Sequence, residues 1–386
     1  MPKEITHCIL AERAAYTLAA SSNILKKRIG GEIYFLFEEN PQALYFGSIA
    51  PDLFYYDIRM PWQMRLKNSS ESVSDLIHGE GGIDTIAHVF QMLSILRDAR
   101  LASPLTGDKT FSRSARATLL LFTLGYLSHV AIDTLLHPIV YYFAGNYYAH
   151  DPKEKNAAQT RHRVIETILD LYNLDSLGSD LKTYHVLKKM KLEKKERQWI
   201  LGFYTLALLR AFPQKMEALF KKSFSESTSV YTHPLYTAAV RSYKKQILSN
   251  RMFHSQRLAR WGGSFNRRRH DALSHHSSLF YPARSYAEYT QGNRGNYFTI
   301  EDLRKCVNPT TQREIHLSQK SITQKVFART HAFYRAAWRY AQGEINEVEA
   351  RRVLKGYNLN NGLVKTPTEA MRTFSPLALN GNFEYI

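Results

Sequence analysis

Only two cysteines, Cys8 and Cys306, occur in 386 residues. No disulfide framework holds this chain together, and the composition suits a reducing compartment. Glu4 and Glu12 interrupt the apolar stretch at the start, so no secretory leader is expected and a cytoplasmic location follows as the expectation. Strand-like alternation is scarce. No strand–glycine–helix rhythm and no Walker, Rossmann or Cys-x-x-Cys pattern is present, which removes the common nucleotide folds. With 44% hydrophobic and 22% charged residues the chain is too apolar to be disordered. A mean hydropathy of −0.37 excludes a multi-spanning membrane protein. Acidic residues are also few, 34 against 52 basic ones, a formal net charge of +18.

That charge is unevenly placed. Residues 1–180 hold 17 Lys and Arg and 20 Asp and Glu, whereas residues 181–386 hold 35 and 14. The whole basic excess lies in the second half, so a polyanionic partner, nucleic acid or an anionic membrane surface, is the first expectation. Apolar residues recur at helical spacing in 8–28, 84–99, 113–137, 160–173, 198–211 and 322–341, which predicts an all-α chain. Punctuation falls at Gly30-Gly31, Asn40-Pro41, Ala50-Pro51 and Gly79 to Gly82. The texture changes near residue 178. Segment 186–197 is a charged helix face, 261–295 an irregular connection rich in Gly, Ser, Arg and Tyr, and the tail from 356 a loosely structured one. Two regions are expected, 1–178 and a basic, mostly helical extension over 179–386.

The most apolar stretch, 117–145, is long enough for a bilayer. It also carries His129, Asp133 and His137 at steps of four, followed by Pro138. Residues four apart on a helix differ by about 40° in direction, so the three share one side. An Asp at mid-bilayer costs about 2.5–3.5 kcal/mol on insertion scales, and a buried core helix with a functional stripe explains the pattern better. His162 and Glu166 repeat the spacing on another helix, and His7, Asp52 and His78 stand at helix edges. Imidazole and carboxylate on neighbouring helices are the usual zinc ligands of a helical scaffold. Each residue alone has an ordinary explanation: an intrahelical hydrogen bond for His129–Asp133, a solvated pair for His162–Glu166, a helix cap for Asp52, a loop residue for His78. Three ionisable groups on the most hydrophobic helix are nevertheless hard to justify without a cation.

The order His7, Asp52, His78, His129-x3-Asp133, His137, His162-x3-Glu166 resembles the bacterial zinc-dependent phospholipase C family, relatives of the S1/P1 nucleases. The wording ITHCILAE, GSIAPDLFYY, IHGEGG, GYLSHVAIDTLLHP and TRHRVIET is similar too, over roughly residues 1–175. The resemblance implies an all-α domain holding a Zn2+ cluster. Asp52, His78, His129 and Asp133 would surround one ion, and His137, His162 and Glu166 a second. His7, with Asp133 as a bridging carboxylate, would contact a third. Secreted members complete that third site with the terminal amino group and carbonyl of a tryptophan. Here Met1 stands six residues before His7 with no Trp between, so two ions are expected. His88 and Asp57 match nothing in the family pattern, and His88 has the spacing of a packed histidine.

The resemblance further implies a phosphodiester substrate, with Asp52 as candidate general base. Phospholipid is favoured over nucleic acid because the motif wording is closer to the phospholipases. Tyr141, Tyr142, Phe143, Tyr147 and Tyr148 are placed to line the entrance or to pack in the core. The basic second half, including Arg267, Arg268 and Arg269 and the run from Lys188 to Arg197, is read as a docking surface for an anionic membrane, ahead of nucleic acid. A metal-stabilised interaction module without catalysis is the remaining class.

Overall fold

The computed structural model describes residues 4–57, 69–106, 111–177, 189–225, 228–253, 255, 281, 283–292, 299–303, 305–316 and 319–377. The chain opens with α1 (Glu4–Ala19), α2 (Ile24–Glu39) and α3 (Pro41–Gly47), then a 3-10 segment over Ala50–Tyr56. Next come α4 (Ser69–His78), α5 (Ala87–Arg97), the single turn α6 (Ser103–Thr106), the long α7 (Arg113–Ala144) and α8 (Pro152–Ser176). Further on lie α9 (Lys194–Ala211), α10 (Pro213–Phe220), α11 (Pro234–Phe253), α12 (Tyr286–Gly292), α13 (Gln319–Ala341) and α14 (Glu347–Val353). One short antiparallel ribbon, β1 (Lys305–Val307) with β2 (Glu314–His316), pairs Cys306 with Ile315. The architecture is all-α, as the helical periodicity predicts.

Local chemistry sets the helix ends. Asn23, Ser112 and Asp151 cap α2, α7 and α8 by accepting from backbone N–H groups in the first turn. Asn23 thereby splits the periodic stretch 8–28 into two helices, which apolar spacing alone does not reveal. Gly30 and Gly31, read as punctuation, lie inside α2 instead. Gly30 is there for contact: a Cβ on it would stand 2.4 Å from the Leu18 carbonyl carbon of α1.

The core is organised around α7. It is the one described helix long and apolar enough to cross a membrane, and 94% of its most apolar window is buried inside the protein. α3, α13, α8, α1, α5 and α9 all pack on it. Its apolar side chains each contribute ~1.5–3 kcal/mol on burial. Phe122 meets Phe203 and Tyr204 of α9 with ring centroids 6.4 and 5.8 Å apart, so helices from both sides of residue 178 share this core. The boundary at 178 itself lies outside the described residues. α7 continues past Pro138 to Ala144. Proline cannot donate to the Thr134 carbonyl. Gly362 seats its backbone against that oxygen so closely that a Cβ there would lie 2.4 Å from it.

The segment from 356 corrects the expectation of a loose tail. Asn358, Asn360 and Asn361 are buried. The Asn358 carboxamide oxygen accepts from the backbone N–H of Asn360 and of Asn361, at 2.9 and 3.1 Å. Low apolar content makes such a segment read as loop, but asparagine amides can satisfy buried backbone without any apolar periodicity.

Candidate metal centre

The centre is built outward from α7. At Gly125 a Cβ would stand 2.2 Å from the Leu44 carbonyl oxygen, and at Gly47 2.2 Å from that of Phe122. Only glycine allows α3 and α7 to approach so closely. This contact brings the Ser48 carbonyl to 2.8 Å from His129 Nδ1. On α4, His78 Nδ1 lies 2.7 Å from the Ser74 carbonyl, and Gly79, at φ 104°, ends the helix directly after His78. One turn beyond Asp133, His137 Nδ1 lies 3.1 Å from the Leu359 carbonyl. A carbonyl can only accept, so all three rings carry their proton on Nδ1. Each therefore turns its Nε2 to the interior, the arrangement that orients histidine toward a metal.

The structure brings all eight residues singled out from the sequence into one buried cluster, each less than a tenth exposed. Asp52 in the 3-10 segment reaches His78 Nε2 at 3.2 Å and His129 Nε2 at 3.6 Å. Asp133 stands 2.8 Å from His129 Nε2, 3.3 Å from His7 Nε2 and 3.4 Å from His137 Nε2. Glu166 lies 3.3 Å from His137 Nε2 and 3.0 Å from His162 Nε2. Asp133 thus joins a group of Asp52, His78, His129 and His7 to a group of His137, His162 and Glu166. Zinc bound at about 2.0–2.1 Å sets tetrahedral ligands about 3.3 Å apart, close to most of these spacings. Three triads have ligand atoms within 4.8 Å of one another: His7, Asp52, His129; His78, His129, Asp133; and His137, His162, Glu166.

Several of these atoms lack a well-aligned hydrogen bond even where they make a close ionic contact: Asp52 Oδ1, Asp133 Oδ2, Glu166 Oε2, His129 Nε2 and the Nδ1 atoms of His7 and His162. Buried polar atoms left this way are unfavourable by about 1–3 kcal/mol each, and a cation would satisfy several at once. The electrostatics agree. Burial opposes charge on Asp133, but His129, His137 and His7 outweigh it and hold its carboxyl well below the usual range. Burial likewise opposes charge on Glu166, which His162 and His137 keep well below its usual range. Burial pulls His129 down, yet Asp133 and Asp52 raise it to about 9. Burial and its stacked neighbour His129, 4.1 Å away, lower His7 to about 4. The cluster is a nitrogen-and-oxygen donor set with ionised carboxylates, and it fits zinc.

The sequence reading missed the groups that hold these side chains. Asp170, one turn past Glu166 on α8, accepts from the N–H of Ile5 and Thr6 at 3.3 and 2.7 Å and from the Tyr281 hydroxyl. It anchors the first turn of α1, which carries His7. Its only sequence signal is the stripe 162, 166, 170. The Leu359 N–H donates to the His78 carbonyl at 3.0 Å, and the Tyr141 hydroxyl donates to Asn360 Oδ1 at 3.1 Å. Of the aromatic cluster, Tyr141 and Tyr147 set their rings 4.8 and 5.2 Å from His162. Tyr148 stacks on Tyr141, whereas Phe143 packs into the core. His88 is fully buried beside Tyr126, with rings 4.8 Å apart. Asp57 binds Arg241 Nε at 2.7 Å and Lys245 Nζ at 2.9 Å, tying α11 to the 3-10 segment. Neither residue belongs to the cluster. Arg267, Arg268 and Arg269 lie outside the described residues.

Neither the curated proteins nor the solved structures offer a match to this chain. A family model for zinc dependent phospholipase C matches residues 6–215, more than half of the chain and a span that contains all eight clustered residues. Eight imidazole and carboxylate groups in one buried set, inside that matched span, show that the chain belongs to the zinc dependent phospholipase C family.

Proposed function

We propose that this protein hydrolyses glycerophospholipids between glycerol and phosphate, releasing diacylglycerol and a phosphorylated headgroup. The observation that carries the proposal is the buried cluster itself, in which three histidines are locked by backbone carbonyls with Nε2 facing Asp52, Asp133 and Glu166. Asp52, His78, His129 and Asp133 hold one zinc ion in this reading, and His137, His162 and Glu166 hold a second. His7 approaches Asp133 from another side and is the ligand available to a third. Bound there, such ions neutralise the non-bridging phosphoryl oxygens, acidify water and stabilise the departing alkoxide.

The protein's own groups supply the rest. Asp52 takes the proton of the water that attacks phosphorus. The bond from phosphorus to the glycerol oxygen breaks, and that oxygen leaves as an alcohol once it receives a proton. Tyr141 and Tyr147 wall the His162 side of the site and limit bulk water there. Exposed Lys191, Lys194 and Lys195 at the start of α9 support peripheral docking on an anionic leaflet, at around 1 kcal/mol per residue near the surface.

Elemental analysis of gently purified protein tests the first claim, and at least two equivalents of zinc are expected. Phosphatidylcholine in mixed micelles and single-stranded DNA then test the second, with wild type compared against Asp133→Asn. Loss of diacylglycerol release in the variant is the expected result. Zinc below one equivalent, or cleavage of DNA with none of phospholipid, refutes the proposal.

A further inference from the structure

At the far end of α7 from the metal centre, α2, the first turns of α7 and the last turns of α13 enclose a groove of about 1220 Å³. None of the eight clustered residues lines it. Its size lies somewhat above the roughly 300–1,000 Å³ usual for small-molecule sites. Its floor is apolar, made of Leu36, Leu120 and Trp338, and its outer wall is left uncovered. Ile24 is 87% exposed and Phe35 62%, on the helix stripe 24, 28, 31, 35.

One end of the groove is basic. Arg28 reaches Glu344 at 3.8 Å, and Arg116 donates to the Ala341 carbonyl at 2.8 Å, so both surround the end of α13. Lys27 and Arg113 line the groove as well, and among the described residues neither has a carboxylate partner; Glu32 and Glu39, further along α2, also line it, so four cationic side chains face two carboxylates. Further along α2 and α7 the lining turns to Phe35 and Leu120. Gly31 adds the second argument. A mid-helix glycine is unfavourable by about 1 kcal/mol relative to alanine. Gly30 has a packing reason, its contact with Leu18. A Cβ on Gly31 would have nothing within 4 Å, so helix packing does not require glycine there. Any side chain at 31 would instead project into the groove.

We propose that this groove binds a single-chain anionic amphiphile, its acyl chain lying over Gly31 between Phe35 and Leu120 and its carboxylate or phosphate head held by Lys27 and Arg113. The site is separate from the metal centre and does not depend on the hydrolytic activity. The test is calorimetric titration of the zinc-loaded, full-length protein with oleate, oleyl phosphate and oleyl alcohol below the concentrations at which they self-associate. One molecule of an anionic probe is expected to bind per chain, at least tenfold tighter than the alcohol. The tighter of the two anions identifies the head. Gly31→Trp is expected to weaken binding at least tenfold while zinc content and phospholipid hydrolysis stay unchanged. Gly31→Leu, which adds a strong helix former, gives the same direction without lowering Tm. Lys27→Gln with Arg113→Gln is expected to abolish the preference for anions and leave the alcohol unaffected. Absence of binding by all three probes, binding indifferent to both Gly31 variants, or equal affinity for the alcohol overturns the proposal.

Discussion

Replacing Asn358 by alanine separates the ligands from the structure that holds them. Its buried carboxamide makes four hydrogen bonds. It donates to the Gly79 carbonyl and the Thr368 hydroxyl, both at 3.0 Å, and accepts from Asn360 and Asn361 N–H at 2.9 and 3.1 Å. At about 0.5–1.5 kcal/mol net for each bond, the loss comes to roughly 2–6 kcal/mol. The segment keeps other anchors, Asn358 N–H on the Leu363 carbonyl and Leu359 N–H on the His78 carbonyl, so it loosens without detaching. What loosens first is the Leu359 carbonyl, 3.1 Å from His137 Nδ1. Removal of such an outer partner typically weakens metal affinity 10–100-fold. Competition against a chromophoric zinc chelator reads this directly. Asn358→Ala is expected to weaken one zinc site by that factor, and Asn358→Asp, which keeps both accepting bonds, by less. A zinc affinity within twofold of wild type, alongside a Tm lowered by several degrees, would show that the segment stabilises the fold without orienting His137.

Asp170→Ala removes the anchor of α1 and is expected to destabilise by about 3 kcal/mol; calorimetry should show a lower Tm and a faster release of zinc, with Asp170→Asn milder, and unchanged values refute the anchoring role. Burial alone lowers the fully buried His88 to about 3. Since the unfolded residue titrates near 6.5, unfolding takes up a proton below that pH, so stability is intact above 6.5 and falls as pH drops toward 3. The loss by pH 5 is about 2 kcal/mol. Thermal unfolding of His88→Phe at pH 8 and pH 5 should show a smaller drop than wild type, and an equal drop refutes it. Gly125→Ala sets a methyl 2.2 Å from the Leu44 carbonyl and forces α3 away from α7, at a cost of about 1–3 kcal/mol or more. Because Ser48 moves with α3, zinc content should fall together with Tm, and a variant that keeps both at wild-type values contradicts the close-approach argument.

What was legible in the sequence is what is local. His129, Asp133 and His137, or His162 and Glu166, declare a shared helix face through spacing alone, and their burial follows from the apolar residues around them. His7, Asp52 and His78 come from three separate elements, and only the family likeness linked them to the others before the structure placed them. The groups that fix the rings were not legible for a physical reason. Ser48, Ser74 and Leu359 act through backbone carbonyls, which every residue has, so no side-chain type marks them. Leu359 is also 222 residues from the ring it orients. Gly30 misleads in the same way, because a glycine that lets two helices touch is indistinguishable in sequence from one that ends a helix.

The metal centre also explains why so polar a seam persists inside a helical core. His7 sits on α1 between Cys8 and Ala11, which face one apolar cluster, and Ile5, Ile9 and Leu10, which face the other. On α7, Val130 and Ala131 belong to the first cluster and Ile132 and Leu136 to the second. Asp133 therefore lies on the line where two cores meet, and its carboxylate is surrounded on both sides by groups that cannot solvate it. Protonated histidines alone would satisfy the charge only by placing further cations in an apolar interior. Divalent ions would gather the same carboxylates and imidazoles, and through the two ligand groups would tie together α1, α4, α7, α8 and the 3-10 segment. The segment at 358–361 packs against His78 and His137 from a part of the chain beyond the family match at 6–215. Residues far outside the matched span thus help to set the geometry of the clustered side chains inside it.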